Sequence, residues 1–334
     1  MRRKKPSKTY LFDYRRIVLF ILLITFTYFC WSFRNSWNGK TRFTVVIENI
    51  DSNNSSSDYQ MAIMSVEPNQ NRGNYLTLRP NLLMDIPYGY KTYPVFSIYK
   101  LGELDKARTG AKLMKKAVET TLGIKTDRYL LFKLKDPVLI PKTIDEFKQF
   151  KRDNFSIIKG LPFIKTLISG DIATDMSLLE KLRFFLSFRN LRIDQISYLD
   201  PADSRVGISG TLPDKTQVYS LDLELFDSMT INDFQDIRVR EEDFTLEVQN
   251  ASGMDKIASQ FSRILNHLGA HVIIVTTAAE LNKNYCRIIY ASQGSRDSVI
   301  AKILERDFFC REDNTLEIQA QTDIKVIIGE GFLK

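Results

Sequence analysis

The clearest pattern in the chain is an unbroken apolar run, "IVLFILLITFTYFCWSF" (17–33), followed by shorter segments whose apolar positions recur with a definite period. "RFTVVIENIDS" (42–52), "YQMAIMSVEP" (59–68) and "YLTL" (75–78) read as three early strands joined by the polar turns "NNSSSD" and "NQNRG". "RTGAKLMKKAVETTLGI" (108–124) has helical spacing through Leu113, Ala117, Val118 and Leu122, with Gly123 as a stop. "RYLLFKL" (128–134) returns as a strand. "DMSLLEKLRFFLSFRNL" (175–191) is a second helix, started by Thr174 or Asp175, with Leu178, Leu182, Phe185 and Leu186 as its expected inward stripe. Strands alternating with helices predict an α/β layered domain over 42–240.

A charged connector, "DFQDIRVREEDF", then separates a second unit, 243–334. Its periods predict strand 245–249, helix 254–268, strands 272–276 and 285–290, helix 296–306 and strand 323–328. That βαββαβ order predicts a ferredoxin-like α+β domain, four strands with both helices on one face. Ile257, Phe261, Ile264, Leu265 and Leu268 form the sheet-facing stripe of its first helix.

Charge changes the picture only at the N-terminus. Residues 1–16 carry seven basic side chains and one acid, Asp13, out of totals of 47 and 40. The remaining 318 residues hold 40 basic against 39 acidic residues, so no basic face for nucleic acid is indicated. The same asymmetry assigns the 1–16 tail to the cytoplasm and reads 17–33 as a single transmembrane helix with an extracytoplasmic bulk. The run ends in Tyr28, Phe29, Cys30 and Trp31, unlike a signal-peptide cleavage site. Cys30 lies in the run, which leaves Cys286 and Cys310 as the external pair; the expectation is two small buried apolar residues. His267 and His271 are separated by the helix-ending Gly269, so neither a metal pair nor a histidine base is expected.

"LEVQNASGMDKIASQFSRILNHLGAHVIIV" (246–275) and the closing "DIKVIIGEGF" (323–332) resemble the C-terminal domain of LytR–CpsA–Psr cell-envelope proteins. "FTVVIENIDSNNSSSDYQMAIMSVEP" and "GAKLMKKAVETTLGIKTDRYLLF" resemble the strands and helix of that family's catalytic domain. The resemblance implies a protein acting on polyprenyl-linked glycan and peptidoglycan at the membrane. It places Asp51 and Asp58 where the family keeps acidic, magnesium-holding residues, and offers Arg79 and Arg108 as partners for a pyrophosphate. The family's Pro-Arg-Asp strand end is altered here. Aligned on Asp85-Ile86-Pro87, its slots fall on Arg79-Pro80-Asn81, so proline replaces the arginine and asparagine the carboxylate. The later arginine segment has no clear counterpart; "FKQFKRDNFSIIKGLPF" (147–163) holds only Arg152. Two readings follow. In one the protein binds lipid-linked glycan or peptidoglycan without full transferase activity, and Arg79 is a turn residue. In the other it is an active magnesium-dependent phosphotransferase, with Asp51 and Asp58 on the metal and Arg79 or Arg108 as clamp.

Overall fold

The computed structural model describes residues 17–24, 27, 36–49, 59–105, 107–132, 140–156, 158–168, 172–202, 205–282, 285–316 and 321–333. Asp51 and Asp58 lie outside the described residues. So does part of the apolar run; residues 17–24 are helical and exposed. Among the described residues no helix is long and apolar enough to cross a membrane.

The first unit runs β1 (Phe43–Asn49), β2 (Gln60–Glu67), β3 (Arg72–Leu78), β4 (Leu83–Asp85), β5 (Thr92–Pro94), α1 (Val95–Leu104), α2 (Gly110–Leu122) and β6 (Arg128–Phe132). It continues with α3 (Ile144–Asn154), α4 (Leu161–Ile168), β7 (Ile172–Thr174), α5 (Leu178–Asn190), β8 (Ile196–Leu199), β9 (Gly207–Thr211), β10 (Gln217–Leu221) and α6 (Leu223–Thr230). Six strands form a mixed sheet in the order β7-β6-β1-β2-β3-β8. β1 is parallel to β6 and β3 to β8, while the β1–β2, β2–β3 and β6–β7 pairs are antiparallel.

All seven residues of β1 are buried, because the sheet is covered on both faces. Val45 and Ile47 point to one side, among Phe147, Phe155, Phe163, Phe184, Phe185 and Phe188 of the α3–α5 layer. Val46 points to the other, against Val95 and Ile98 of α1 and Leu113, Met114 and Val118 of α2. The expected stripe of α2 is fully buried, and Gly123 closes that helix at φ 68°. α1 and α2 approach backbone to backbone at Gly102 and Gly110, where a Cβ on Gly102 would lie 2.6 Å from the Gly110 Cα.

α5 differs from expectation in two ways. Its cap is Ser177, which accepts from the Glu180 amide while Glu180 accepts from the Ser177 amide in return. Its inward face is Phe184, Phe185 and Phe188, and Leu178, Leu182 and Leu186 face solvent. The Phe155 ring, just after α3, stacks on Phe185 at 5.3 Å and lies against Phe188 at 4.8 Å. The aromatic match selects the phenylalanine face.

The connector itself is helical, α7 (Ile237–Glu242), capped by Asp236. Beyond it come β11 (Thr245–Ala251), α8 (Ile257–His267), β12 (His271–Thr277), β13 (Cys286–Tyr290), α9 (Gln293–Arg296), α10 (Val299–Arg306), β14 (Arg311–Leu316) and β15 (Ile324–Gly329). The ferredoxin-like expectation does not hold. The sheet has five strands in the order β12-β11-β15-β13-β14, with β12 beside β11 in parallel rather than separated from it by another strand. The unpredicted β14 pairs in parallel with β13 after the α10 crossover. Both long helices do cover one face, with Phe261, Leu265, Ile300 and Leu304 in a single core with Leu246, Val248, Ile288 and Val326. Cys286 and Cys310 are joined by a disulfide, not merely buried, with Cα atoms 4.4 Å apart. The chain reversal before β14 brings Cys310 beside the first residue of β13, inside the range a disulfide can bridge.

Candidate functional site

Strands β1, β6, β3 and β8 all run the same way, so their C-terminal ends gather at one edge of the six-stranded sheet. In open α/β sheets ligands bind at such an edge. Here it holds Glu48 and Asn49 at the end of β1, Tyr59 and Gln60 at the start of β2, Arg79 just after β3 and Asp200 just after β8. A cavity of about 340 Å³ opens there, lined by Tyr59, Gln60, Arg79, Lys142, Thr143 and Asp200 among others.

Arg79 lines this cavity with its guanidinium half exposed. Its Nη2 and Nε donate to Asp200 Oδ2 at 3.0 and 3.3 Å. Asp200 Oδ1 accepts from the Ala202 amide at 2.9 Å, so both carboxylate oxygens are engaged. The backbone around Arg79 is a tied turn. The Leu82 amide donates to the Arg79 carbonyl, the Phe96 amide to that of Pro80, and the Tyr219 amide to that of Asn81. Asn81 Nδ2 donates to the Gln217 carbonyl at 3.2 Å. Pro80 and Asn81 therefore fasten β3 to β10 and α1. Arg79 is a turn residue whose side chain nonetheless faces the cavity.

Arg108 is held elsewhere. Its Nη1 donates to Asp105 Oδ2 at 2.9 Å and its guanidinium lies 3.9 Å from the centre of the Tyr88 ring. Tyr90 also donates to Asp105, and hydrogen bonds from the Ala107 amide and Arg108 hold that carboxyl below its ordinary range. Arg108 is not among the residues lining the cavity at Arg79. His267 ends α8 and His271 begins β12, facing Asp227 and Asp243 respectively.

The sequence reading passed over Glu48. It is 2% exposed inside the fully buried strand β1, and the Tyr59 hydroxyl donates to it from beside the cavity. Burial drives its carboxyl up to about 8, the Tyr59 hydrogen bond opposing and Glu103 adding to the rise. A carboxylate directly after the apolar run Val45-Val46-Ile47 was the available signal. Such a carboxyl is held toward its protonated form, and its contact with Tyr59, which lines the cavity, makes it a site candidate.

At the opposite end of the sheet a polar cleft of about 570 Å³ lies between the two units. Its charges are internally paired: Lys125 with Asp127 and Asp307, Arg128 with Glu180, Arg238 with Asp236. Burial would raise Asp307, but Arg306 and Lys125 outweigh it and hold the carboxyl at about 2. This arrangement joins the units.

Among the described residues no group of three or more histidine, cysteine or acidic side chains could hold a metal ion. Asp200, the described carboxylate at the cavity, is committed to Arg79 and the Ala202 amide. Asp51 and Asp58, the expected magnesium ligands, lie outside the described residues.

No family model matches the chain, and no curated protein does. Similar solved structures include TagV of Bacillus subtilis, at 13% identity over 57% of this chain and 96% of that one, with a TM-score of 0.42. The transcriptional regulator EF0465 of Enterococcus faecalis is similar at 13% identity over 69% and 88%, TM-score 0.42. TagT of B. subtilis is similar at 14% over 58% and 89%, TM-score 0.38. At these identities and scores the likenesses carry no functional assignment.

Proposed function

We propose that the protein is a membrane-anchored, extracytoplasmic cell-envelope protein of the LytR–CpsA–Psr type, which binds polyprenyl-linked glycan or peptidoglycan without full transferase activity. The observation that carries this reading is the state of the strand-end site. Arg79 faces a cavity at the expected edge, yet Pro80 and Asn81 occupy the slots for the motif's arginine and carboxylate and are used as fasteners. A site that keeps Arg79 and Lys142 but lacks the motif's arginine and carboxylate can hold an anionic headgroup. It stabilises a leaving pyrophosphate poorly, because each missing donor typically costs a hundredfold or more in rate.

The Cys286–Cys310 disulfide supports an extracytoplasmic bulk, since disulfides persist in oxidising compartments. The apolar run and the basic tail support the anchor and its orientation. The second reading, an active transferase, is favoured by Asp51 and Asp58, which the sequence places in the segment joining β1 to β2.

Full-length protein mixed with polyprenyl-pyrophosphate-linked glycan separates the two. Saturable binding without magnesium-dependent release of polyprenyl phosphate is expected. Clear turnover, abolished by Asp58→Ala, would establish the second reading instead.

A further inference from the structure

Among the described residues downstream of the N-terminal run, eighteen large hydrophobic side chains are exposed, and eight of them fall between Ile144 and Ile193. Three form a row on α5, where Leu178, Leu182 and Leu186 recur every four residues and so share one face. α4 packs against α5 and adds Leu161 and Ile168, and the turn before it adds Ile158, 81% exposed. The inward side of this layer is already filled by phenylalanine rings, so the outer aliphatic row has no role in the core. Exposed aliphatic side chains gathered on two helices packed together mark an interaction site.

What covers it follows from where the N-terminal segment joins the fold. Arg183 of α5 donates to Ser36 Oγ at 3.0 Å and to the Trp37 carbonyl, while the Trp37 amide donates to Glu180 at 3.1 Å. The Trp37 indole stacks on Phe43 at 4.5 Å. The apolar run ends at Phe33, three residues before Ser36, and three extended residues span roughly 10 Å. A run that spans the bilayer therefore holds α5 close to the bilayer surface. Residues 17–24 are themselves exposed, so they do not cover the row. Residues 158–192 also carry six basic side chains against three acidic ones, in a region whose surroundings are nearly neutral.

We infer that the outer face of α4 and α5 is a membrane-contacting surface, seated in the headgroup layer of an anionic bilayer. Leu161, Ile168, Leu178, Leu182 and Leu186 enter the apolar boundary, and Lys159, Lys165 and Arg189 lie toward the lipid phosphates. This rests on the anchored reading proposed above. A tether alone leaves the domain free to rotate, whereas this second contact fixes which side of the sheet faces the lipid.

The test uses the full chain with Cys30→Ser and its disulfide intact, spin-labelled singly at Leu22→Cys, Leu161→Cys, Leu182→Cys or Ile208→Cys. Each is reconstituted in vesicles of equal parts phosphatidylcholine and phosphatidylglycerol. Ile208 is exposed on β9, away from this layer. Labels at 22, 161 and 182 should collide more often with oxygen than with a water-soluble nickel chelate, and the label at 208 the reverse. A label at 22 in lipid with 161 and 182 as wet as 208 overturns the inference and leaves the anchor standing. All four labels in water overturn the anchor and the inference together. Retreat of 161 and 182 into water in pure phosphatidylcholine would further support the role of the basic residues.

Discussion

Arg79 and Glu48 show how neighbours decide what a side chain can do. Arg79 and Asp200 form a partly exposed pair, which contributes at most about 1 kcal/mol to stability. Arg79→Ala should therefore leave the thermal midpoint nearly unchanged. It should weaken binding of a pyrophosphate-linked glycan by about tenfold or more, a charge-assisted hydrogen bond contributing roughly 1.5–3 kcal/mol. Calorimetry on both quantities checks this; equal binding would remove Arg79 from the site. Glu48 makes a pH prediction. Its folded pKa of about 8 lies above the unfolded value of about 4.3. Its favourable contribution is complete below about pH 4 and declines as pH rises through 8. Glu48→Gln keeps an acceptor for Tyr59 and cannot ionise. It should raise stability by roughly 1–3 kcal/mol at pH 8. The gain should vanish near pH 4, as read by urea unfolding at the two pH values.

At the level of elements, α8 and the β13–β14 pair carry the second unit. Phe261 is 1% exposed, with Phe308 at 5.0 Å and Phe332 at 5.3 Å. Phe261→Ala should cost about 3–5 kcal/mol, since the rigid neighbours collapse only partly into the vacated space. A loss below 1 kcal/mol in denaturant melts would contradict that packing. The disulfide closes a separation of 24 residues. Replacing both cysteines with serine should lower stability by about 3 kcal/mol, and a reductant should have a similar effect on the wild type.

Over the whole molecule, Arg263 links three helices. It donates to both oxygens of Asp227 on α6, at 2.6 and 2.7 Å, and to the Thr121 carbonyl at the end of α2, at 3.1 Å. The Gly123 turn packs against its side chain. Lys125 reaches Asp307 across the same boundary at 3.0 Å. Arg263→Ala together with Lys125→Ala should split thermal unfolding into two transitions, one for each core. A single transition, merely lowered, would mean that the cores do not unfold independently. Residues 243–334 alone should still unfold cooperatively, because their core takes only Val239 from outside the fragment, at a lower midpoint than in the whole chain.

Periodicity in the sequence determined the three early strands, the buried stripe of α2 and the helical stripe of α8. The helices each bury one stripe and the early strands are short apolar runs buried on both faces, so one-dimensional spacing and length suffice. α5 was different. Its leucines and its phenylalanines both recur at helical spacing, and only the rings of Phe155 and Phe163 across the layer selected which set turned inward. β14 was missed because "REDNTL" is polar along an edge of the sheet, where pairing depends on the strand beside it rather than on its own alternation. The cysteine pairing was decided by the crossover that carries Cys310 back to the start of β13. At the candidate site the sequence named Arg79 and its altered neighbours. Asp200, 121 residues downstream, became its partner only through the parallel pairing of β3 with β8. Spacing records what one segment buries; the pairing of distant strand ends is a property of the assembled sheet.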